Sequence, residues 1–147
     1  MEVKEGNHCK YQIRYHIVWK VKYSREILHE GRTKYIKWIL EEIGEKYEYE
    51  IEAVGTDENH MHVFVGAHPQ ISPAQLAQRL KSISAREMFK KYPEIRKYLW
   101  GGAMWAIGYY VRTVSDGPLD KVIKKYVEEQ GKATKGKKSN YQLRLVP

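Results

Sequence analysis

The histidine pair His60 and His62 is the sharpest local signal for chemistry in this sequence. On a β-strand, residues i and i+2 face the same side, so the two imidazoles would lie side by side while Met61 points the other way. Imidazole is a common ligand of divalent metals, and two same-face histidines can chelate one ion. The pair is therefore a candidate metal site, although the tripeptide also occurs by chance on surface strands.

Tyr126 and Gln130 form a second candidate pair, because residues four apart on a helix lie on one face. Tyrosine can act as a covalent nucleophile, but its phenol keeps its proton at neutral pH and needs an activated target. A divalent metal bound to a phosphate supplies that activation by drawing charge from phosphorus. The side-chain carbonyl of Gln130 would then complete the ligand set. The alternative is that Tyr126 is an ordinary residue of an amphipathic helix, since the sequence has 12 tyrosines.

Charge and composition favour a nucleic-acid partner. The formal net charge is +8 and the pI about 9.4, a surplus that suits a polyanion. Tyr and Trp can stack on unpaired bases while Lys and Arg contact phosphates. The candidates for phosphate contacts are Arg79, Lys81, Arg86, Arg112, Lys121, Lys124 and Lys125. For any single one of them, a solvated surface charge is the simpler interpretation.

Other classes of function are disfavoured by what the sequence lacks. Cys9 is the only cysteine, which excludes an internal disulfide and a cysteine-based zinc site and suits a reducing cytoplasm. Residues 1–10 do not resemble a signal peptide, and no apolar run reaches the roughly 18 residues that span a membrane. A cytoplasmic protein without a membrane partner is expected. The histidines outside the pair show no pattern and are interpreted as structural or surface residues: His8, His16, His29 and His68.

The elements that must position these side chains follow from the hydropathy pattern. Strands are predicted over residues 11–23, 49–56, 60–67 and 103–114. Helices are predicted over residues 31–47, 73–92 and 118–130, the second with Ser72 as its N-cap. The order β-α-β-β-α-β-α predicts an α+β, ferredoxin-like split β-α-β fold with an added C-terminal helix. One domain is expected over residues 1–131, followed by a basic tail at 132–147.

This fold predicts where the candidate residues lie. The sheet should be antiparallel, with two helices on one face, so His60 and His62 are expected on the open face. Met61, Val63 and Val65 should point toward the helices. Val122 and Ile123 are expected to anchor the last helix to the sheet.

Five segments in order resemble the single-tyrosine HUH transposases, the TnpA-like proteins of the smallest insertion sequences, where U is a hydrophobic residue. The segments are residues 15–23, 59–65, 80–86, 105–111 and 123–130, similar to the first strand, the HUH strand, the second helix, the last core strand and the catalytic helix. Two positions depart from the family pattern. Asn59 stands where Asp is common, which puts a contact behind the metal ligands in doubt, and Ser115 stands where Gly is common.

The resemblance implies a site and a mechanism. His60, His62 and Gln130 would hold Mg²⁺ or Mn²⁺, and Tyr126 would be the catalytic nucleophile. The enzyme would recognise hairpins in single-stranded DNA and cleave through a 5′-phosphotyrosine link, as a homodimer with active sites shared between subunits. Two other interpretations stay open: a non-catalytic single-stranded nucleic-acid-binding protein, and a domesticated HUH endonuclease that no longer moves an element.

Overall fold

An antiparallel β-sheet lies at the centre of the computed structural model, which describes residues 2–100 and 102–129. The strands are β1 (Lys4–Gly6), β2 (Cys9–Tyr11), β3 (Tyr15–Lys20), β4 (Glu50–Asp57), β5 (His60–Gly66) and β6 (Tyr110–Thr113). The helices are α1 (Glu30–Tyr47), α2 (Pro73–Lys91) and α3 (Pro118–Glu129), with 3-10 turns at Lys22–Ser24 and Pro93–Tyr98. The predicted ligand Gln130 and the predicted tail at 132–147 lie outside the described residues.

The main sheet has the strand order β4-β5-β3-β6, and every neighbouring pair is antiparallel. β3 and β5 are therefore the central strands, and β4 and β5 form a hairpin. This is the ferredoxin-like arrangement that the sequence predicts. β1 and β2 form a small separate hairpin that the sequence pattern did not reveal.

One face of the sheet is covered by α1 and α2. Met61, Val63 and Val65 of β5 are fully buried there, as the period-two pattern predicts. They pack in one apolar cluster with side chains of both helices, among them Ile36 and Leu80. Because the odd-numbered residues of β5 take this face, the side chains of His60 and His62 point to the other.

The start of α2 is fixed by a reciprocal cap. The hydroxyl of Ser72 accepts from the backbone N–H of Gln75, and the Gln75 side chain accepts from the backbone N–H of Ser72. Pro73 occupies the first helical position, where a missing N–H costs nothing. The helix ends at Lys91, two residues before Pro93, as predicted.

Two predicted strands are too long. The first spans Tyr15–Lys20 rather than 11–23, because the small hairpin takes one end and a turn with Tyr23 and Ser24 at φ of 59° and 51° takes the other. The last is regular only over Tyr110–Thr113 rather than 103–114. Before it, Gly108 adopts a φ of +96° and interrupts the pairing with β3, which resumes only as an isolated bridge between Trp105 and Val21.

The ammonium group of Lys81 forms hydrogen bonds with two backbone carbonyls in the segment before β6. The Nζ of Lys81 on α2 donates to the carbonyl oxygens of Ala106 at 2.9 Å and Gly108 at 2.8 Å. The indole N–H of Trp105 donates to the Lys81 carbonyl and to Ser84 Oγ. Side-chain and backbone contacts with α2 therefore hold residues 105–108 in place. Such contacts cannot be recognised in a local sequence pattern, so the pattern of this segment predicted a continuous strand.

α3 packs on the face of the sheet opposite α1 and α2. Ile123 and Val127 form a second apolar cluster there with Ala53 of β4 and Phe64 of β5. The prediction that Ile123 anchors this helix is confirmed. The same prediction for Val122 is wrong, because its side chain points outward and is 54% exposed. Within the described residues, no helix is both long enough and apolar enough to cross a membrane.

Candidate active site

His60 and His62 lie at the start of β5, just after the tight β4–β5 turn. His60 pairs with Asp57 across that turn, and His62 pairs with Gly55 one step further into the sheet. His62 is completely buried, whereas His60 is half-buried. The face carrying the pair is the predicted one, but it is not open to solvent at His62 because α3 and its apolar contacts cover this part of the sheet.

A third histidine contacts the pair. The Nε2 of His16 on β3 lies 3.1 Å from the Nδ1 of His62, and both side chains are fully buried. The imidazole of His16 stacks on the ring of Phe64, with centroids 4.4 Å apart and planes at 15°. The sequence pattern favours a structural or surface role for His16. Its contact with His62 depends on the register between β3 and β5, which no local pattern indicates.

The other ring nitrogen of His62 suits a metal. Its Nε2 is buried and has no hydrogen-bond partner among the described residues. Burial and, next, the neighbouring His60 lower the pKa of His62 to about 4. At neutral pH the imidazole is therefore uncharged, the form in which histidine binds metals. A buried polar nitrogen without a partner is unfavourable in a folded protein, and a bound cation would satisfy it.

His60 also has its Nδ1 engaged, by the side-chain oxygen of Asn59. Histidines that bind a metal through one nitrogen commonly donate the other N–H to a carboxylate, carbonyl or water. Asn59 supplies such an acceptor, so its replacement of the family's common Asp keeps a contact of this type. Both imidazoles thus fit a divalent ion. The described residues contain no group of three His, Cys, Asp or Glu side chains that would hold one.

The C-terminal helix brings Tyr126 to this part of the sheet. The carbonyl oxygen and side chain of Val127 lie directly over Gly55, whose backbone pairs with His62. A Cβ at Gly55 would stand 2.7 Å from Val127 Cγ1 and would collide with the carbonyl oxygen. The absence of a side chain at residue 55 therefore allows α3 to lie close to the strand beside His62. Tyr126, the residue before Val127, is half-buried.

Two sets of ion pairs fasten α3 to the sheet. Lys124 lies 3.3 Å from Glu52 on β4, and Glu52 also accepts from the buried Arg14, the residue before β3. Burial raises the pKa of Glu52, but the hydrogen bond and charge of Arg14 and the charge of Lys124 outweigh it and hold that pKa below its usual value. These charged partners lie in three separate segments of the chain, so no local sequence pattern indicated them.

The second set lies at the start of α3. Asp120 forms an ion pair with Arg112 of β6 at 2.6 Å and accepts from the backbone N–H and hydroxyl of Ser115. Burial raises the pKa of Asp120, but the Ser115 hydrogen bonds and Arg112 hold it below its usual value. Asp120 therefore joins the end of β6 to the first turn of the helix that carries Tyr126.

Residues 9–130 match the family described as "Transposase IS200 like". The chain is also 35% identical over 130 residues to the ISDra2 transposase TnpA of Deinococcus radiodurans, across 88% of this chain and 92% of that one. This protein belongs to the IS200-like transposase family. Cutting and rejoining of DNA is the activity that membership of this family implies.

Other relatives agree with this assignment of the IS200-like transposase. It is 24% identical to the transposase of insertion sequence element IS200 from Salmonella typhimurium, over 84% of this chain and 80% of that one. A crystal structure described as a transposase from Deinococcus radiodurans superimposes with a TM-score of 0.72 at 32% identity, covering 86% and 97% of the two chains. A REP-associated tyrosine transposase bound to a REP hairpin has a TM-score of 0.56 at 9% identity, covering 84% and 70%, and supports the fold alone.

The basic residues that were predicted to contact phosphates divide into two groups in this IS200-like transposase. Arg79, Lys81, Arg112 and Lys124 contact other parts of the fold. Arg79, for example, donates to the Tyr49 hydroxyl at 2.7 Å and lies over the ring of Tyr47. Arg86, Lys121 and Lys125 have exposed side chains. For all seven, contact with DNA stays a prediction, and the exposed group is the better placed to make it.

Proposed function

We propose that this transposase cleaves and rejoins single-stranded DNA at hairpin-marked element ends, with Tyr126 as the nucleophile. His60 and His62 would hold a divalent cation, Mg²⁺ or Mn²⁺, and Gln130 would complete the ligand set. The observation that carries the proposal is the buried, unpartnered Nε2 of His62 on the strand pair that α3 covers. A bound cation at this position would neutralise charge on the scissile phosphate.

The chain's own groups account for the remaining chemistry. The phenol oxygen of Tyr126 forms a bond to phosphorus as the bond to the 3′ oxygen breaks, and the phenol proton is lost as the released 3′-hydroxyl gains one. The product is a 5′-phosphotyrosine link, which a second strand's 3′-hydroxyl resolves by the reverse exchange. Each step replaces one phosphate ester with another of similar energy. A nucleotide cofactor is therefore not needed.

Single-stranded, hairpin-containing DNA is the proposed substrate. The net charge of +8 supports a nucleic-acid partner, and the resemblance to the single-tyrosine HUH transposases implies a hairpin substrate. The proposed assembly is a homodimer in which the active sites are shared between subunits. The outer strands β4 and β6 leave sheet edges that a second copy can extend.

The test is to incubate the purified protein with single-stranded DNA from both flanks of its gene and Mg²⁺, followed by a denaturing gel. Wild-type protein is expected to form a covalent protein–DNA adduct, and Tyr126→Phe is expected to bind DNA without forming one. Tyr98→Phe, which alters an exposed tyrosine outside the site, is the matched control and should form adduct normally.

Three results would contradict the proposal. Adduct formation by Tyr126→Phe would mean that another tyrosine is the nucleophile, and an adduct yield unchanged by EDTA would exclude the metal. DNA binding by the wild-type protein without any adduct would favour the non-catalytic single-strand binder instead.

A further inference from the structure

His16 contacts the candidate ligand His62 in the protein interior, where solvent water cannot replace His16 as the hydrogen-bond partner. Neither side chain has any exposed surface, and their ring centroids lie 5.3 Å apart with the ring planes tilted by 33°. The separation of 3.1 Å between His16 Nε2 and His62 Nδ1 is that of a hydrogen bond. One of these nitrogens must carry the proton and the other must accept it.

Metal binding by His62 decides the direction of that hydrogen bond. The unpartnered Nε2 of His62 is the nitrogen left to a metal, and ligation requires its lone pair. The proton of the neutral ring must then be on Nδ1, where it donates to His16 Nε2. His16 in turn must carry its own proton on Nδ1.

The acceptor is itself held in place. The ring of His16 stacks on that of Phe64, with centroids 4.4 Å apart. Phe64 also packs in one apolar cluster with Ile123 and Val127 of α3. The same apolar cluster therefore supports both the helix of Tyr126 and the ring that contacts His62. A ring stacked and buried in this way has little freedom to turn its Nε2 away.

We propose that His16 is a positioning residue for metal binding: it accepts a hydrogen bond from His62 Nδ1 and so fixes the tautomer and ring orientation that leave His62 Nε2 for the ion. The inference rests on the proposed function, because it assumes that His62 is a metal ligand. It assigns a role to a histidine that shows no functional pattern in the sequence.

The first experiment uses the wild-type protein saturated with diamagnetic Mg²⁺ and needs no catalysis. Long-range ¹H–¹⁵N correlation spectra at neutral pH should show His62 protonated on Nδ1 and His16 protonated on Nδ1. A scalar coupling between His62 Nδ1 and His16 Nε2 should be detectable across the hydrogen bond. A spectrum with His62 protonated on Nε2 would overturn the inference, whatever the variants do.

The second experiment measures Mn²⁺ affinity by electron paramagnetic resonance. His16→Phe keeps the stack on Phe64 but removes the acceptor, and should weaken Mn²⁺ binding by roughly 10–100-fold, as loss of such supporting contacts does elsewhere. His16→Gln puts an acceptor oxygen near the original Nε2 and should recover most of the affinity. His68→Gln is the matched control, since His68 contacts Tyr11 and Glu48 instead and should leave affinity unchanged.

The outcomes separate this inference from the proposed function. Wild-type affinity in a folded His16→Phe, or equal losses in His16→Phe and His16→Gln, would overturn the positioning role alone. If His16→Phe does not fold, the wild-type tautomers and the His16→Gln affinity still decide the question. Failure of the wild-type protein to bind Mn²⁺ would overturn the metal site and, with it, the role of His16.

Discussion

The carbonyl oxygen of Val127 lies where a Cβ of residue 55 would stand, so α3 and β4 approach each other closely at Gly55. Contact at this point is made by backbone atoms of the helix, which cannot rotate away as a side-chain end can. The close packing of α3, the helix that carries Tyr126, therefore requires a residue without a Cβ at position 55.

Gly55→Ala should loosen α3. The added carbon must push the helix outward, and overpacking of this kind costs about 1–3 kcal/mol. Hydrogen–deuterium exchange in α3 should rise, and the melting temperature should fall. Gly31→Ala is the control, because nothing lies within 4 Å of a Cβ there and a helical alanine gains at most about 1 kcal/mol. Unchanged exchange in α3 of Gly55→Ala would contradict the assigned contact.

Lys81→Met should destabilise the segment at 105–108. The methionine keeps the aliphatic stem but cannot donate to Ala106 and Gly108, at an expected cost of about 1–3 kcal/mol in the free energy of unfolding. Chemical denaturation measures the cost, with Lys90→Met as an exposed-lysine control. If stability is unchanged while DNA affinity falls, Lys81 acts on phosphates rather than on the fold.

Acid should weaken the attachment of α3. The folded-state pKa values of Glu52 and Asp120 lie below their ordinary values of 4.5 and 3.8. Their stabilising contributions are therefore complete above those values and are lost as the pH falls through the lowered pKa values.

The acid effect is tested with Asp120→Asn. At neutral pH this variant should be less stable than wild type by about 2 kcal/mol, because Arg112 and Ser115 lose a charged partner. The difference should shrink as the pH falls below the ordinary value of 3.8. Thermal melts across this range provide the measurement, and a constant difference at all pH values would exclude the Asp120 contribution.

Mixing two inactive variants tests the shared active site. His60→Ala and Tyr126→Phe should each lack cleavage activity, but a mixed dimer with shared sites has one site with intact histidines and an intact tyrosine. Cleavage should then return at up to about half the activity of a wild-type dimer, by counting sites under two-fold symmetry. A silent mixture with confirmed subunit exchange would mean that each chain uses its own Tyr126, in line with the packing of α3 over its own sheet.

Binding to single-stranded DNA should depend steeply on salt. Each phosphate contacted by a cation contributes about −0.7 to the slope of log affinity against log salt. Lys121→Gln and Lys125→Gln, both at exposed positions, should each reduce the slope by about that amount. Arg79→Gln should reduce stability more than slope, since this guanidinium already contacts Tyr49. Slopes that stay equal to wild type in both lysine variants would remove these residues from the DNA interface.

The structural features that depend on a local sequence pattern could be predicted from the sequence. The period-two alternation of β5 predicted which face His62 takes, and Ser72 with Gln75 predicted the start of α2. The sequence did not predict His16 as the partner of His62, because register between strands distant in sequence is set by packing of the whole sheet. The hydrogen bonds of Lys81 to Ala106 and Gly108 were not predictable for a similar reason, because a local sequence pattern does not distinguish a lysine with such tertiary contacts from one on the surface.

β5 is covered on both sides along most of its length. From Met61 to Gly66 every residue is buried, in the α1–α2 cluster on one side and against His16 and α3 on the other. Almost every substitution in β5, the strand that carries the proposed ligands, should therefore affect the stability of the fold. In a saturation library of this gene, tolerated substitutions should be scarce across β5 and should return abruptly at the turn residue Glu58, which makes this strand the poorest place in the chain for an inserted tag or label.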